Sequence, residues 1–264
     1  MKTIAIAGKG GTGKSTLSAI TVRWLSDHVS KSILVVDADS NVNLNDLLGV
    51  DLKETVGGIR EEMKDKVHSL PGGMSKQQFL EYKIQSSIVE TPDFDLIAMG
   101  RPEGPGCYCY ANSILRDILK TLAGNYEYVI IDNEAGMEHL SRRTTDGIDY
   151  LLIISDPTVR GIHTAGSIGR LIKELDTRVK QKYLIVNRVR NPLPQAATDR
   201  IQAENLELLC EIPEDELLFE TDQQGKPVWT VANRSKTYKT IGEVMHRFIH
   251  SNRRQRKPDS RDCI

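Results

Sequence analysis

Almost every feature that would send this chain out of the cytoplasm or coat it onto nucleic acid is missing. No apolar stretch approaches the roughly 20 residues that a membrane span needs. The amino terminus passes at once into a strand-like run, with no leader-type apolar region and cleavage site. There are only four cysteines in 264 residues, two of them separated by one residue, which is not the disulfide framework of a secreted domain. The formal net charge of -1 leaves no global positive excess for nucleic acid. Only Asn252-Arg253-Arg254-Gln255-Arg256-Lys257-Pro258 is strongly basic, and it reads as a solvated, disordered end. Internal repeats and linkers are absent as well. The expectation is a cytoplasmic protein with one folded domain over residues 1–250 and a basic tail over 251–264, contacting neither membrane nor nucleic acid.

What is present is a regular alternation. Short apolar runs at Thr3–Ala7, Ile33–Asp37, Asp95–Met99, Tyr128–Asp132, Tyr150–Ile154, Tyr183–Val186 and Leu208–Ile212 read as strands. Most are continuous in Ile, Leu and Val, as expected where helices cover both faces of a parallel sheet. Helical patterns lie between them, at Ser15–His28, Ser113–Gly124, Gly161–Leu175 and Thr237–His250. This alternation predicts the α/β class: a single doubly wound, mostly parallel sheet with helices on both faces. Leu52–Pro92 is longer and more charged than the other crossovers, with helices expected around Glu54–Lys66 and Lys76–Ser86 and a turn at Pro71-Gly72-Gly73.

The first strand breaks into Gly8-Lys9-Gly10-Gly11-Thr12-Gly13-Lys14-Ser15-Thr16, the pattern G-x-x-x-x-G-K-[ST] of a P-loop. Glycines at this spacing let successive backbone N–H groups converge on phosphate oxygens. Lys14 adds a point charge, the Ser15 hydroxyl can reach Mg²⁺, and the following helix directs its positive end at the same anion. A nucleoside triphosphate is the expected ligand. Lys9, at the front of the loop, has no required role in such a pattern and on its own is an ordinary solvated lysine.

Ligands of open α/β sheets sit beyond the carboxyl ends of the strands, and further signals fall there. The second strand ends in Asp37-Ala38-Asp39, whose acids share one face by the period of two. One carboxylate near Mg²⁺ and one near an attacking water would suit phosphoryl transfer, although paired aspartates at a strand end also serve as turn residues. Asp132 closes the run Tyr128-Val129-Ile130-Ile131, the arrangement in which an acid at a buried strand end holds Mg²⁺. The segment from Asn133 to Leu140 follows it and is placed to sense the terminal phosphate. Asn187, just past Leu184-Ile185-Val186, has an amide able to read the edge of adenine, or is simply a turn residue. The loop starting at Pro213 is expected to close over the base by backbone contacts.

Cys107 and Cys109 lie in Gly104-Pro105-Gly106-Cys107-Tyr108-Cys109-Tyr110. On extended backbone they project to the same side and can share one soft metal, or they pack as small reduced hydrophobes. Two thiolates do not close a site, but a symmetric dimer would bring four together. Zn²⁺ would favour a tetrahedral arrangement, whereas Ni²⁺ tolerates a square-planar one. His139, His163 and His246 have no ligand spacing and read as ordinary polar or core histidines.

As a whole, GKGGTGKST resembles the deviant Walker A box of the MinD/ParA/nitrogenase-reductase class of ATPases. That resemblance implies an ATP-bound homodimer in which Lys9 crosses to the partner's phosphates. It also implies that Asp39 positions the attacking water, that Asp37 lies close to the metal and that Asn187 reads adenine. Adding R-P-E-G-P-G-C-Y-C-Y and D-N-E-A-G-M-E-H-L followed by Arg142 and Arg143, the chain from Met1 to Ile249 is similar to the CooC-type accessory proteins of nickel insertion into carbon monoxide dehydrogenase. Thr12 is a departure, since many members carry Val there. What the likeness implies is an ATP-hydrolysing, metallochaperone-like protein that cycles between ATP and ADP, with Mg²⁺ at Ser15, Asp37 and Asp132 and Ni²⁺ or Zn²⁺ at Cys107 and Cys109. Its client would be carbon monoxide dehydrogenase or acetyl-CoA synthase. Two other readings remain open: a MinD/ParA-type positioning or partition ATPase, and a non-catalytic nucleotide- and metal-binding protein, against which the Asp37/Asp39 pair speaks.

Overall fold

The computed structural model describes residues 1–65, 75–100, 121–133, 147–174 and 178–250. Among them are eight strands of one sheet: β1 (Lys2–Gly8), β2 (Ile33–Ala38), β3 (Val89–Glu90), β4 (Asp95–Ala98), β5 (Tyr128–Asn133), β6 (Ile148–Ser155), β7 (Val179–Val189) and β8 (Leu208–Pro213). Their order is β3-β4-β2-β5-β1-β6-β7-β8, and every pairing is parallel except β3 with β4. The doubly wound, mostly parallel sheet expected from the apolar runs is therefore present.

The described helices are α1 (Lys14–His28), α2 (Leu44–Leu48), α3 (Val56–Asp65), α4 (Lys76–Ser86), α5 (Val159–Glu174), α6 (Gln195–Ala203), α7 (Glu216–Gln223) and α8 (Lys236–His250). Strand residues alternate between two cores. Ile4, Ile6, Ile130 and Leu152 meet α1 and α8, whereas Ala5, Ala7, Ile131 and Ile153 meet the opposite layer, which includes Ile162 and Ala165 of α5. Each fully buried Ile or Leu removes enough apolar surface to contribute roughly 1.5–3 kcal/mol. The small Ala5 and Ala7 let the α5 layer approach the end of β1, where the glycine loop begins.

The seven expected strands lie where the apolar runs placed them, with one consequential difference. β7 runs from Val179 to Val189, so Asn187 lies inside the strand and does not follow it. The register against β8 is irregular between Val186 and Val189, and Arg188 takes a left-handed backbone at φ 59. This bulge turns the end of β7 out of regular pairing. The sequence pattern did not mark β3, α2, α6 or α7, which are too short to display a period. The expected turn at 71–73 and most of the expected helix 113–124 lie outside the described residues, as does the tail 251–264.

Candidate functional site

The loop between β1 and α1 sits at the carboxyl end of the sheet. Gly8 must be glycine because an added Cβ would lie 2.3 Å from the Ile154 carbonyl oxygen of β6. Gly13, at the start of α1, has φ 90, and a Cβ there would lie 2.6 Å from Asn187 Nδ2. The loop is drawn closed on itself. The Thr12 hydroxyl donates to the Lys9 carbonyl at 2.8 Å, and Lys14 Nζ reaches the same oxygen at 3.3 Å. Thr12 thus adds a hydroxyl bond that Val at this position would lack. The Lys9 side chain lies exposed at the front of the loop, whereas Lys14 is buried.

Two side chains from the bulged end of β7 clamp the loop from outside. Asn187 Nδ2 donates to the Thr12 carbonyl at 2.9 Å, and Arg188 Nη1 donates to the Gly11 carbonyl at 3.1 Å. Asn187 therefore anchors the loop with its amino group, and its side chain also lines the adjoining cavity. Arg188 was not singled out from the sequence, since nothing in a charged residue near a strand end signals a left-handed backbone.

The acidic side of the site is built by β2 and β5. Asp37 and Asp132 stand opposite each other in the parallel register, and both are buried. Asp132 accepts hydrogen bonds from the Ser15 and Ser18 hydroxyls of α1, the latter at 3.1 Å. Burial pushes its pKa up to about 6, with the nearby Asp37 charge acting in the same direction. Burial likewise raises Asp37, against the opposing pull of backbone N–H groups from Leu44, Asp39 and Asn43. Those groups donate to Asp37 at 3.1, 3.0 and 3.2 Å, so its carboxylate organises the chain that leads into α2. Asp39 lies past the end of β2, partly exposed, and accepts from the Asn41 N–H at 2.8 Å.

Two buried carboxylates side by side and a hydroxyl from the first turn of α1 form a hard-oxygen donor set, with the Lys14 ammonium nearby for the phosphates. Such a set fits Mg²⁺, whose charge would favour the ionised form of acids that burial holds up. Ser18 belongs to this group and was missed. It lies one turn beyond Ser15 on the same helix face, which is the signal that would have found it.

Beside the loop opens a cavity lined by Gly13, Asn187, Pro213, Leu218, Phe219 and Val228, among others. Pro213, the last residue of β8, faces the same space as Asn187, as a base-binding role for both would require. Cys107, Cys109, Glu134–Leu140, His139, Arg142 and Arg143 all lie outside the described residues. Among the described residues no three His, Cys, Asp or Glu side chains gather around a metal-sized space. Burial pushes the Cys210 thiol up to about 12. His163 pairs with Glu204 at 2.6 Å, and His246 packs edge-on to Trp24.

A glycine loop at the end of β1, a helix aimed at it and two acids on the neighbouring strand ends define a P-loop nucleotide-binding protein. The sequence pattern of the CobQ/CobB/MinD/ParA nucleotide binding domain matches residues 3–228, and the chain belongs to that family. It is 41% identical over 249 residues to an uncharacterized ATP-binding protein of Methanocaldococcus jannaschii, covering 94% of this chain and 98% of that one. It is also 29% identical over 258 residues to the carbon monoxide dehydrogenase accessory protein CooC of Rhodospirillum rubrum, covering 92% of this chain and 97% of CooC. The septum site-determining protein MinD of Pyrococcus horikoshii, solved with Mg-ADP, shares the fold at a TM-score of 0.64 and 20% identity, over 95% of this chain and 98% of that chain. No helix among the described residues is long and apolar enough to cross a membrane.

Proposed function

We propose that this protein is an Mg²⁺-dependent ATPase whose ATP-bound homodimer carries a metal site shared between Cys107 and Cys109 of its two copies, and that it supports nickel insertion into carbon monoxide dehydrogenase or acetyl-CoA synthase. The observation that carries the ATPase half is the register pair Asp37 and Asp132 set against Ser15 and Lys14 at the mouth of the glycine loop. In this reading Gly8 to Thr16 wrap the phosphates, Lys14 neutralises them, and Ser15, Asp132 and Asp37 hold Mg²⁺, which draws charge from the phosphate oxygens. Asp39 orients the attacking water, and the exposed Lys9 reaches the phosphates bound by the partner copy. Asn187 and Pro213 receive the base.

The nickel half rests on the C-x-C segment and on the likeness to CooC along almost the whole chain. Two thiolates per copy leave the metal half-coordinated until two copies meet, so the metal favours the dimer by linkage. Hydrolysis would loosen the phosphate clamp, separate the thiolate pairs and release the ion to the client. A MinD-type positioning role shares the ATPase half but leaves the cysteines without a task. Equilibrium dialysis with Ni²⁺ and Zn²⁺, with and without ATP, separates the two. One tight ion per dimer, lost in Cys107→Ala/Cys109→Ala, supports the proposal. One ion per chain, or binding unchanged by the double substitution, overturns it.

A further inference from the structure

The two edges of the sheet are finished differently. At one, β3 is only two residues long and runs antiparallel, which leaves little backbone to pair with. At the other, β8 has six residues and pairs with β7 alone. Among the described residues no backbone hydrogen bond joins its outer side to another element. The strand opens with Leu208-Leu209-Cys210, of which Leu208 is 38% exposed and the other two are half-buried. A partly apolar edge with free N–H and C=O groups is a template for one more strand, and such edges are normally covered.

The charge around β8 selects the occupant. Between Asn205 and Gly225 the chain has seven acids and no lysine or arginine. Glu204 and Glu214, on either side of the strand, are held by arginines. No ion pair among the described residues holds the exposed Glu207 or Glu211. Toward α8, Glu243 and Arg247 act on Cys210 in opposite directions and offset each other. The edge therefore presents uncompensated negative charge beside apolar surface.

The same chain carries the complement. Arg253, Arg254, Arg256 and Lys257 follow directly on α8. That helix delivers them to the amino end of the sheet. Near its end the Phe248 ring stacks on Tyr150 and Tyr183, with ring centres 4.0 and 5.6 Å apart, and its carbonyl accepts from Lys2 Nζ and the Tyr150 hydroxyl. Tyr183 immediately precedes Leu184, which pairs with Leu208 at the start of β8. With strands about 4.8 Å apart and a covering layer about 10 Å above them, the outer side of β8 lies roughly 15 Å from that point. About five extended residues cross it and about six more run the length of β8, fewer than the fourteen of 251–264. Pro258 has no N–H, so pairing on both sides stops just after the basic run.

We propose that the open side of β8 is the docking site of this chain's own basic tail, which lies parallel to the strand with its arginines and Lys257 against Glu207 and Glu211. The tail covers the edge against pairing with a second copy. Exposed charges hold it, so salt releases it. The proposal stands independently of the nucleotide reading, since none of these residues belongs to the glycine loop or the acids beside it.

The test is hydrogen–deuterium exchange of the full chain, read by mass spectrometry on the peptide that spans β8. At about 0.1 M NaCl the outward amides of β8 are expected to exchange about tenfold more slowly in wild type than in Arg253→Glu/Arg254→Glu/Arg256→Glu/Lys257→Glu, with β1 and β5 alike in both. At about 1 M NaCl, where the screening length falls to about 3 Å, wild type is expected to lose that protection. Carbodiimide coupling of wild type is expected to join Lys257 to Glu207 or Glu211 within one copy. Should the four glutamates loosen β1 and β5 as well, the same four positions changed to Gln decide, since they add no negative charge. Equal exchange of β8 in wild type and in the variant that keeps β1 and β5 intact overturns the proposal. Protection that grows with protein concentration, or cross-links confined to a dimer, gives the edge to a second copy and overturns it too.

Discussion

Asp37 and Asp132 face each other across the β2–β5 pairing, yet their carboxylates are used differently. Asp132 is held by two hydroxyls of α1, and Asp37 by three backbone N–H groups of the segment that leads into α2. One acid therefore ties the sheet to the phosphate-loop helix and the other ties it to the loop carrying Asp39. Asp37→Ala should free that loop as well as remove an acid. The buried Leu44 N–H loses its acceptor, and the expected destabilisation is about 1–3 kcal/mol. Urea unfolding gives the stability change, and proteolysis should show new cleavage between residues 39 and 44. Unchanged stability would mean that the loop holds itself.

Asp39, by contrast, supports its own turn by accepting from the Asn41 N–H. Asp39→Ala should keep nucleotide affinity and stability close to wild type while phosphate release from ATP falls at least about a hundredfold, the scale on which a positioned carboxylate acts. Lys14→Ala should instead weaken nucleotide binding itself. Steady-state turnover paired with calorimetry separates the two effects. Undiminished turnover in Asp39→Ala would move the water-orienting role elsewhere.

The parts of this site that could be read in the sequence are those governed by local rules. Glycines at fixed spacing, an apolar run that ends in Asp132, and acids two apart at the end of β2 each follow from backbone geometry over a few residues. What escaped depends on distant neighbours. Arg188 reaches Gly11 only because a bulge against β8 turns the end of β7, and no pattern within β7 announces that irregularity. Thr12 reads from the sequence as a departure only, and the bond from its hydroxyl to the Lys9 carbonyl depends on how the loop folds back. Phe219 and Asp222 lie on a helix of eight residues, too short for a period to show which face meets the cavity.

Asn187 should matter to the phosphates as much as to the base. Its amino group supports the Thr12 carbonyl, so Asn187→Ala leaves that oxygen without this donor, at a cost of about 1–3 kcal/mol, and loosens the loop. Asn187→Asp should be worse, because it sets a carboxylate against that carbonyl oxygen. Both variants are expected to weaken pyrophosphate as well as ADP in calorimetry. A loss confined to ADP would make Asn187 a base contact alone.

Acid should loosen the contact between α5 and α6. Glu204 is held below its ordinary value of 4.5, first by the hydrogen bond from His163 and further by the Arg170 guanidinium. A depressed carboxylate contributes stability that is present above the unfolded-state value and lost as pH falls through the folded one, so the loss belongs below about pH 4.5. His163 and Arg170 are 56% and 54% exposed, which limits the contribution to about 1 kcal/mol or less. The stability gap between wild type and Glu204→Gln, followed by urea unfolding from pH 7 to pH 3.5, should narrow at the acid end. A gap independent of pH would assign the effect to packing against Gly166, which the Glu204 side chain also touches.

Lys9 offers the sharpest separation between fold and assembly. Its side chain is exposed, and its contribution within one copy is the carbonyl that Thr12 and Lys14 use, which any residue supplies. Lys9→Ala should therefore leave the unfolding curve of the nucleotide-free protein within about 0.5 kcal/mol of wild type. In the proposed dimer the same ammonium meets phosphates bound by the partner copy, a charge-assisted contact that exists only after association. Light scattering of Asp39→Ala with ATP and Mg²⁺ should report a dimer, because ATP binds there without being consumed. Adding Lys9→Ala should return the mass to that of a monomer while calorimetry still detects bound ATP. Lys9→Arg should recover association in part, since the charge is kept but the shape is not. If the double variant dimerises as readily as Asp39→Ala alone, the lysine is only a solvated surface residue and the dimer, where it forms, is held by other contacts.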